Sequence, residues 1–218
     1  MPIPKLIIQT WKTNDLPQPY LPLLKKLRET NPDFNYMFFN DQNIIEFIQT
    51  HYPEYEETFN NFPHPIQRID FFRCLAIYKY GGFYLDMDME IHTSLTPLLD
   101  NEVVFPKEWQ QNGDPILQEQ GMQLLLGNYA FGAIPNHPFI KQIIDNIVTQ
   151  RIPQDKIPNK KDKQIFYTTG PVLVTQSLID YQKTNNNTNS VTLIEPTPKF
   201  KHAQFGNYGS HKMMGSWK

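Results

Sequence analysis

Two aspartates separated by one methionine, Asp86 and Asp88, are the residues of this chain best suited to chemistry. They follow a short apolar run that begins after two glycines. If residues 83–89 form a strand, both carboxylates point to one face, whereas Leu85, Met87 and Met89 point to the other, into the core. Two carboxylates so close repel each other, and a divalent cation on oxygen ligands relieves that repulsion. The spacing therefore predicts a metal site at the end of a strand.

The helix predicted before this strand carries a second pair of charges. Residues 66–80 have apolar side chains at helical spacing, and Gly81 suits the C-terminal cap. Asp70 and Arg73 lie three residues apart, so they share one face of the helix. Two interpretations stay open. The pair is either an exposed ion pair worth well under about 1 kcal/mol, or Arg73 faces an anionic ligand while Asp70 holds it or binds a hydroxyl.

The remaining elements must bring these side chains together. Predicted strands and helices alternate, which favours an α/β domain with a largely parallel sheet. The predicted strands cover residues 5–10, 34–39, 83–89, 102–106, 123–133 and 191–195, and the helices cover 21–30, 41–51, 66–80, 139–150 and 172–181. The first strand ends in Gln9, Thr10 and Trp11. Ligands of open α/β sheets bind outside the carboxyl ends of the strands, so these three residues are candidate ligand contacts.

The composition is that of an ordinary globular chain of 218 residues with a formal net charge of −2. Without a dense block of Lys and Arg, nucleic acid is not the expected partner. The single cysteine, Cys74, excludes an internal disulfide, and its place in an apolar helix predicts an inert thiol. No signal peptide and no apolar stretch of about 18 residues is visible. We therefore expect no membrane span and a cytoplasmic protein, of viral or bacterial type.

Residues 68–88 resemble the sugar-binding DXD region of glycosyltransferase family 32, which includes initiating α-1,6-mannosyltransferase. The catalytic core of the clostridial glucosylating toxins is related to it. The similarity continues along the chain in the order of the family. It includes the opening strand 3–11, Asn128 with the turn 134–139, the tripeptide Thr169-Gly170-Pro171, and the closing His211 with residues 215–217.

The resemblance implies an α/β GT-A fold, with a single Rossmann-like, mostly parallel sheet flanked by helices, as one domain over residues 1–218. Loops 107–121 and 151–163 would lie on the acceptor side or the surface, and the tail 200–218 would close the site. A hexose or N-acetylhexosamine would pass, with retention, from a UDP- or GDP-linked donor to a glycan or protein acceptor. A Mn²⁺ or Mg²⁺ ion would bridge the diphosphate.

Roles of individual residues follow from their positions in the family pattern. Asp88 would bind the metal directly, whereas Asp86 would bind ribose or sugar hydroxyls and reach the metal through water. The resemblance assigns catalysis to Asp86, Asp88, Arg73 and Asn128, and binding of the donor sugar to Asp70, Arg73, Asp86 and Asn128. It assigns binding of the nucleotide to Gln9, Thr10, Trp11, Asp86, Ser216 and Trp217. The metal ligands would be Asp88, Asp86 and His211.

Two alternatives stay open. Phosphatases of the haloacid dehalogenase type also end a strand with Asp-x-Asp, the first aspartate being a nucleophile. Their motif usually lies near the N-terminus and is followed by Thr or Val and a glycine, whereas Met89-Glu90 follows here. The second alternative is a degenerate copy that binds a sugar nucleotide or glycan without transfer. The intact Asp86, Asp88, Asp70, Arg73 and Trp217 argue against it.

Overall fold

A computed structural model of the chain describes residues 1–109, 115–119, 124–184, 190–200 and 203–215. The strands are β1 Leu6–Thr10, β2 Asn35–Phe39, β3 Gly82–Leu85, β4 Met89–Ile91, β5 Val103–Trp109, β6 Leu124–Leu126, β7 Ala130–Ala133, β8 Val191–Ile194, β9 Gln204–Phe205 and β10 Gly209–His211. The α-helices are α1 Leu21–Thr30, α2 Asp41–His51, α3 Glu56–Asn60, α4 Pro65–Tyr80, α5 Pro115–Gln118, α6 Pro138–Val148, α7 Lys161–Thr168 and α8 Pro171–Thr184.

The main sheet has seven strands in the order β2-β1-β3-β7-β5-β6, with β8 paired to β5. β1 is parallel to β2 and β3, and β5 is parallel to β8. β7 is antiparallel to both β3 and β5, and β6 is antiparallel to β5. Thus β2, β1, β3, β5 and β8 point the same way while β7 and β6 run against them. The predicted α/β class, with a mostly parallel sheet flanked by helices, is confirmed.

The two faces of the sheet carry separate apolar clusters because side chains alternate along each strand. On β5, Phe105 belongs to the larger cluster, which packs against α2, α4, α6 and α8, and Val104 belongs to the smaller one. Cys74 is buried in the larger cluster, as predicted. Leu27 of α1 and Phe205 of β9 cover the smaller cluster. Helix α4, which carries the candidate charged residues, is therefore fixed against the core.

Two glycines make the sharp connection from α4 to β3. Gly81 and Gly82 have φ angles of 67° and 92°, a region that side chains with a Cβ rarely adopt. A Cβ on Gly82 would lie 2.5 Å from the carbonyl oxygen of Leu6. The Gly-Gly pair thus allows β3 to enter the sheet directly beside β1.

The strand predicted over residues 83–89 is divided in the structure. β3 ends at Leu85, a turn carries residues 86–88, and β4 begins at Met89. The amide of Met89 donates to the carbonyl of Asp86 at 3.0 Å and closes this turn. β4 then leaves the main sheet for a second sheet of order β4-β10-β9. The two aspartates therefore project from a turn between two sheets and not from a continuous strand.

Other segments also differ from prediction. The strand predicted over 123–133 is interrupted by residues 127–129, because β6 pairs only with β5 whereas β7 bridges β3 and β5. The loop predicted over 151–163 ends where α7 begins at Lys161. Within the predicted loop 107–121, residues 107–109 continue β5, whereas 110–114 and 120–121 lie outside the described residues. That residues 1–218 form one domain stays a prediction.

Candidate active site

Asp86, Asp88 and His211 come together at the carboxyl end of β3. Their ligand atoms all lie within 4.8 Å of one another. His211 Nε2 lies 3.0 Å from Asp88 Oδ1 and 3.7 Å from Asp86 Oδ2. The antiparallel pairing of β10 with β4, which sets His211 opposite Met89, delivers the histidine to this turn. Two carboxylates and one imidazole suit a divalent cation, since such ions take oxygen ligands and accept imidazole nitrogen.

The charges of this cluster are balanced within the protein. Burial disfavours the charged form of His211, but the carboxylates of Asp86 and Asp88 outweigh it and raise the pKa of the imidazole to about 9. Burial also disfavours ionised Asp88, yet His211 and the amide of Met214 lower the pKa of that carboxyl. His211 is therefore a cation that compensates the carboxylates. A divalent ion could take over this compensation once the imidazole releases its proton, so the donor set fits a metal.

The segment after β10 lies against the same turn. The amide of Lys212 donates to the carbonyl of Asp88 at 3.0 Å, and the amide of Met214 donates to Asp88 Oδ2 at 2.9 Å. Lys212 also pairs with Glu90, which a second lysine, Lys26, contacts at 2.9 Å. These lysines lower the pKa of Glu90 to about 2. The predicted contacts Ser216 and Trp217 lie outside the described residues.

Helix α4 presents Asp70 and Arg73 to the site from the other side, and each is only 3% exposed. Arg73 Nη2 lies 3.3 Å from Asp70 Oδ1 and 3.2 Å from Asp86 Oδ1. Arg73 Nη1 donates to the carbonyl of Asn128 at 2.6 Å, and the guanidinium lies 4.6 Å from the ring centroid of Tyr84. The interpretation as an exposed ion pair is therefore wrong. The pair is buried and connects α4 to residues 86–88, which we call the aspartate turn, and to the interruption before β7 at residues 127–129.

Asp70 is held at both carboxylate oxygens. Asn128 Nδ2 donates to Oδ1 at 3.0 Å, and Thr169 Oγ1 donates to Oδ2 at 2.8 Å. Burial raises the pKa of Asp70 to about 6, although Arg73, Thr169 and Asn128 work to lower it. The structure thus brings Asp70, Arg73, Asp86 and Asn128 into one network, as the family pattern implies. The sequence predicts no role for Thr169, although the tripeptide that it forms with Gly170 and Pro171 resembles the family.

The end of β1 lies beside this network. Gln9 is 2% exposed and Thr10 is 8% exposed, whereas Trp11 is half-buried. The hydroxyl of Thr10 is 3.0 Å from that of Tyr84. The indole of Trp11 packs on Tyr20, with ring centroids 4.6 Å apart. Trp11 is therefore the most accessible of these three side chains.

Sequence reasoning missed two residues near His211. The ring of Tyr129 lies 4.9 Å from the imidazole, and its hydroxyl donates to the carbonyl of Gln204 at 2.9 Å. Glu108, at the end of β5, adjoins Tyr129, and burial raises the pKa of its carboxyl. No sequence signal marks either residue, since Glu108 falls in a segment predicted as a loop and Tyr129 in one predicted as a continuous strand.

Comparisons with known proteins agree with this geometry. Residues 19–105 match the family model of the glycosyltransferase sugar-binding region containing DXD motif. Inositol phosphoceramide mannosyltransferase 3 of Schizosaccharomyces pombe is 35% identical over 145 residues, which are 66% of this chain and 37% of that protein. The initiation-specific alpha-1,6-mannosyltransferase of Candida albicans is 24% identical and is matched over 83% of this chain and 53% of its own length. The chain thus spans less than two thirds of the length of either relative.

Among solved structures, PaToxG glycosyltransferase has a similar fold, with a TM-score of 0.56 and 19% identity over 84% of this chain and 70% of that one. In the described residues, no helix combines the length and apolar character needed to cross a membrane. The expected cytoplasmic location is wrong, because the similar yeast proteins, which include inositol phosphoceramide mannosyltransferase 3 and two mannosyl phosphorylinositol ceramide synthases, are not cytoplasmic enzymes.

Proposed function

We propose that the chain is a metal-dependent hexosyltransferase that uses a nucleotide-diphosphate sugar, because residues 19–105 match the family model of the DXD sugar-binding region and the fold is that of the glycosyltransferases. The observation that carries the proposal is the convergence of Asp86, Asp88 and His211 within 4.8 Å at the end of β3. The buried network of Asp70 and Arg73 lies directly behind it. A site that only bound a metal ion would not require the buried pair of Asp70 and Arg73 behind it.

The relatives support a more specific substrate pair. Those named above transfer mannose, and one is named for inositol phosphoceramide. We propose mannose as the transferred hexose, carried on uridine or guanosine diphosphate, and an inositol-containing lipid as the acceptor. The partly exposed Trp11 offers a ring face to the nucleotide base. Ser216 and Trp217 stay predicted nucleotide contacts.

Asp86, Asp88 and His211 would hold the Mn²⁺ or Mg²⁺ ion, with Asp88 as the direct ligand. When bound, the ion would supply positive charge against the diphosphate as the bond to the sugar breaks. Arg73 contacts Asp86 Oδ1 at 3.2 Å, so it fixes the direction in which that carboxylate is presented. Asn128 donates its amide N–H to Asp70, which leaves the amide oxygen to accept a hydroxyl of the donor sugar.

We propose transfer with retention, because the carboxylate beside the sugar position is not placed to act as a base. Asp70 is 3% exposed and both its oxygens accept hydrogen bonds from Asn128 and Thr169. In a same-face transfer the acceptor oxygen bonds to the anomeric carbon as the diphosphate leaves, and the acceptor proton passes to the leaving phosphate oxygen. That reaction needs no carboxylate base, so the buried network serves to orient and not to move a proton.

The test is a donor screen with a matched pair of variants. In wild type, one sugar nucleotide with Mn²⁺ should raise Tm by several degrees and give a glycosylated or hydrolysed product detectable by mass. Asp88→Asn preserves shape but removes a charge, and it should abolish the metal-dependent product while retaining the wild-type circular dichroism spectrum. Asp33→Asn, which removes one carboxylate of an exposed pair with Lys5, should behave as wild type.

Three outcomes would overturn the proposal. If no UDP- or GDP-sugar with Mn²⁺ changes Tm, the protein does not use a sugar-nucleotide donor. A shift without turnover would identify a binding protein without transfer. Phosphate release from a phosphate monoester, with Asp86 required as nucleophile, would favour the phosphatase alternative. That alternative is already disfavoured because Asp86 is paired with Arg73.

A further inference from the structure

The strands β1 and β3 separate just before the aspartate turn. Their parallel ladder comprises only the pairs Ile7 with Phe83 and Ile8 with Tyr84. Beyond this point β1 continues beside β2, where Gln9 pairs with Phe38. The chain after β3 turns away toward the second sheet. The peptide groups that follow β3 therefore leave the β1 ladder at the position where Asp86 must be held.

The side chain of Gln9 fills this gap. Its amide nitrogen lies 3.3 Å from the carbonyl oxygen of Leu85 and 3.2 Å from that of Asp86, donating to both. On the opposite side, the amide of Asp86 donates to the carbonyl of Tyr129 at 2.8 Å. The Gln9 side chain thus contacts the carbonyl oxygens of both peptide groups that flank Asp86, and the backbone of Tyr129 also holds the N–H of the first of them. Because Gln9 is only 2% exposed, its amide is committed to this contact.

A second side chain sets the orientation of that amide. The hydroxyl of Tyr36, on β2, donates to Gln9 Oε1 at 3.1 Å. The guanidinium of Arg28 lies 4.9 Å from the centroid of the Tyr36 ring and holds it in place. Burial raises the pKa of Tyr36 to about 12 although Arg28 lowers it, so the phenol remains a neutral donor. With its oxygen engaged by the phenol, the Gln9 amide must turn its nitrogen toward the two carbonyls.

We propose that Gln9 and Tyr36 are positioning residues for Asp86: together they fix the backbone of residues 85–86, so that the carboxylate is presented to the metal and the donor. Neither residue needs to touch either ligand. The ligand side of this inference rests on the proposed function, whereas the ordering of the turn does not. Residues that orient metal ligands from behind typically change metal affinity by about 10–100-fold when removed.

The test uses three variants of the full chain. Tyr36→Phe removes one hydroxyl, and Gln9→Leu removes the bridging amide at similar volume. Tyr55→Phe is the control, because it removes a phenolic hydroxyl from a residue whose described ring contacts are with Tyr52 and Phe71, away from the turn. Amide hydrogen exchange at Asp86 and Met89 is measured in metal-free protein, and Mn²⁺ affinity is measured by electron paramagnetic resonance titration.

We expect Tyr36→Phe to speed exchange at these two amides several-fold and to weaken Mn²⁺ binding about 10-fold, with Tm close to wild type. Gln9→Leu should do both more strongly and should raise the donor KM more than it lowers kcat. Tyr55→Phe should change neither exchange nor affinity.

Two results would overturn the positioning role. One is wild-type exchange and Mn²⁺ affinity in Tyr36→Phe. The other is faster exchange throughout the sheet in both variants, which would mean that the pair serves general stability only. If wild-type protein neither binds Mn²⁺ nor turns over a sugar nucleotide, the proposed function fails. The exchange comparison would still decide whether Gln9 and Tyr36 order the turn.

Discussion

Two ionic networks contact the aspartate turn, one buried and one partly exposed. On the α4 side, the charged groups of Asp70 and Arg73 are 3–4% exposed; Arg73 donates to the backbone carbonyl of Asn128, and Asp70 accepts from the side chains of Asn128 and Thr169. On the β10 side, Lys212 and Lys26 are 43% and 42% exposed and share the carboxylate of Glu90. A buried ionic network is costly to break, whereas an exposed one is screened and replaceable. We call the buried pair of Asp70 and Arg73 the floor of the turn, and the partly exposed cluster of Lys26, Glu90 and Lys212 its cover. The floor is expected to be rigid and the cover adjustable.

The largest effect should come from the floor. Arg73→Leu removes the cation that lies between Asp70 and Asp86, so Asp86 keeps only His211 among its described ionic partners, and the carbonyl of Asn128 loses its donor. We expect a loss of about 3–5 kcal/mol in the free energy of unfolding, measured by urea denaturation. Arg151→Leu is the control, because that arginine makes a partly exposed pair with Asp180 and should cost under about 1 kcal/mol. Equal losses in the two variants would abolish the distinction between floor and cover.

A second effect concerns the pH dependence that Asp70 gives to the floor. Its folded pKa of about 6 exceeds the ordinary value of 3.8, so the folded state retains a proton that the unfolded state has released. The stability from this protonation is fully present below pH 3.8 and is lost as pH rises through about 6. It is on the order of 3 kcal/mol.

Asp70→Asn should remove this contribution. The variant should show a flatter decline of unfolding free energy across that pH window than wild type, measured by urea denaturation at a series of pH values. Asp33→Asn should keep the wild-type slope, since its carboxylate is exposed. A slope in Asp70→Asn that equals the wild-type slope would mean that Asp70 is ionised throughout the window.

The smallest effect is expected at the cover. Lys212→Ala removes one of two lysines from Glu90, and Lys26 remains paired with it at 2.9 Å. The unfolding free energy should fall by less than about 1 kcal/mol, and the difference from wild type should vanish in about 1 M NaCl. A salt-insensitive loss comparable to that of Arg73→Leu would show that the cover is as rigid as the floor.

The sequence was informative where the cause of structure is local. Helical spacing and the Gly81 end of α4 predicted elements that the structure contains. The order of strands and helices predicted the α/β class, and the resemblance to DXD glycosyltransferases is confirmed by the family match and the fold. The convergence of Asp86, Asp88 and His211 also agrees with the family pattern.

Features that depend on distant partners could not be predicted. β3 ends at Leu85 because Gln9 and Tyr129 capture the next peptide groups, and Gln9 lies 76 residues before Leu85. Thr169 reaches Asp70 across 99 residues. A spacing of three between Asp70 and Arg73 likewise fits an exposed pair and a buried one equally well. What separates them is the packing of α4, which no local pattern encodes.

The rate at which Cys74 is alkylated can report how often helix α4 opens. Cys74 follows Arg73 directly in α4, it is the only cysteine of the chain, and burial raises its pKa to about 12. Such a thiol does not react with an alkylating reagent while the helix is packed, because the nucleophile is the thiolate. Alkylation therefore proceeds only through openings that expose α4. The increase in mass over time therefore measures the rate of these openings in the wild-type sequence, next to Arg73, on which the aspartate turn depends.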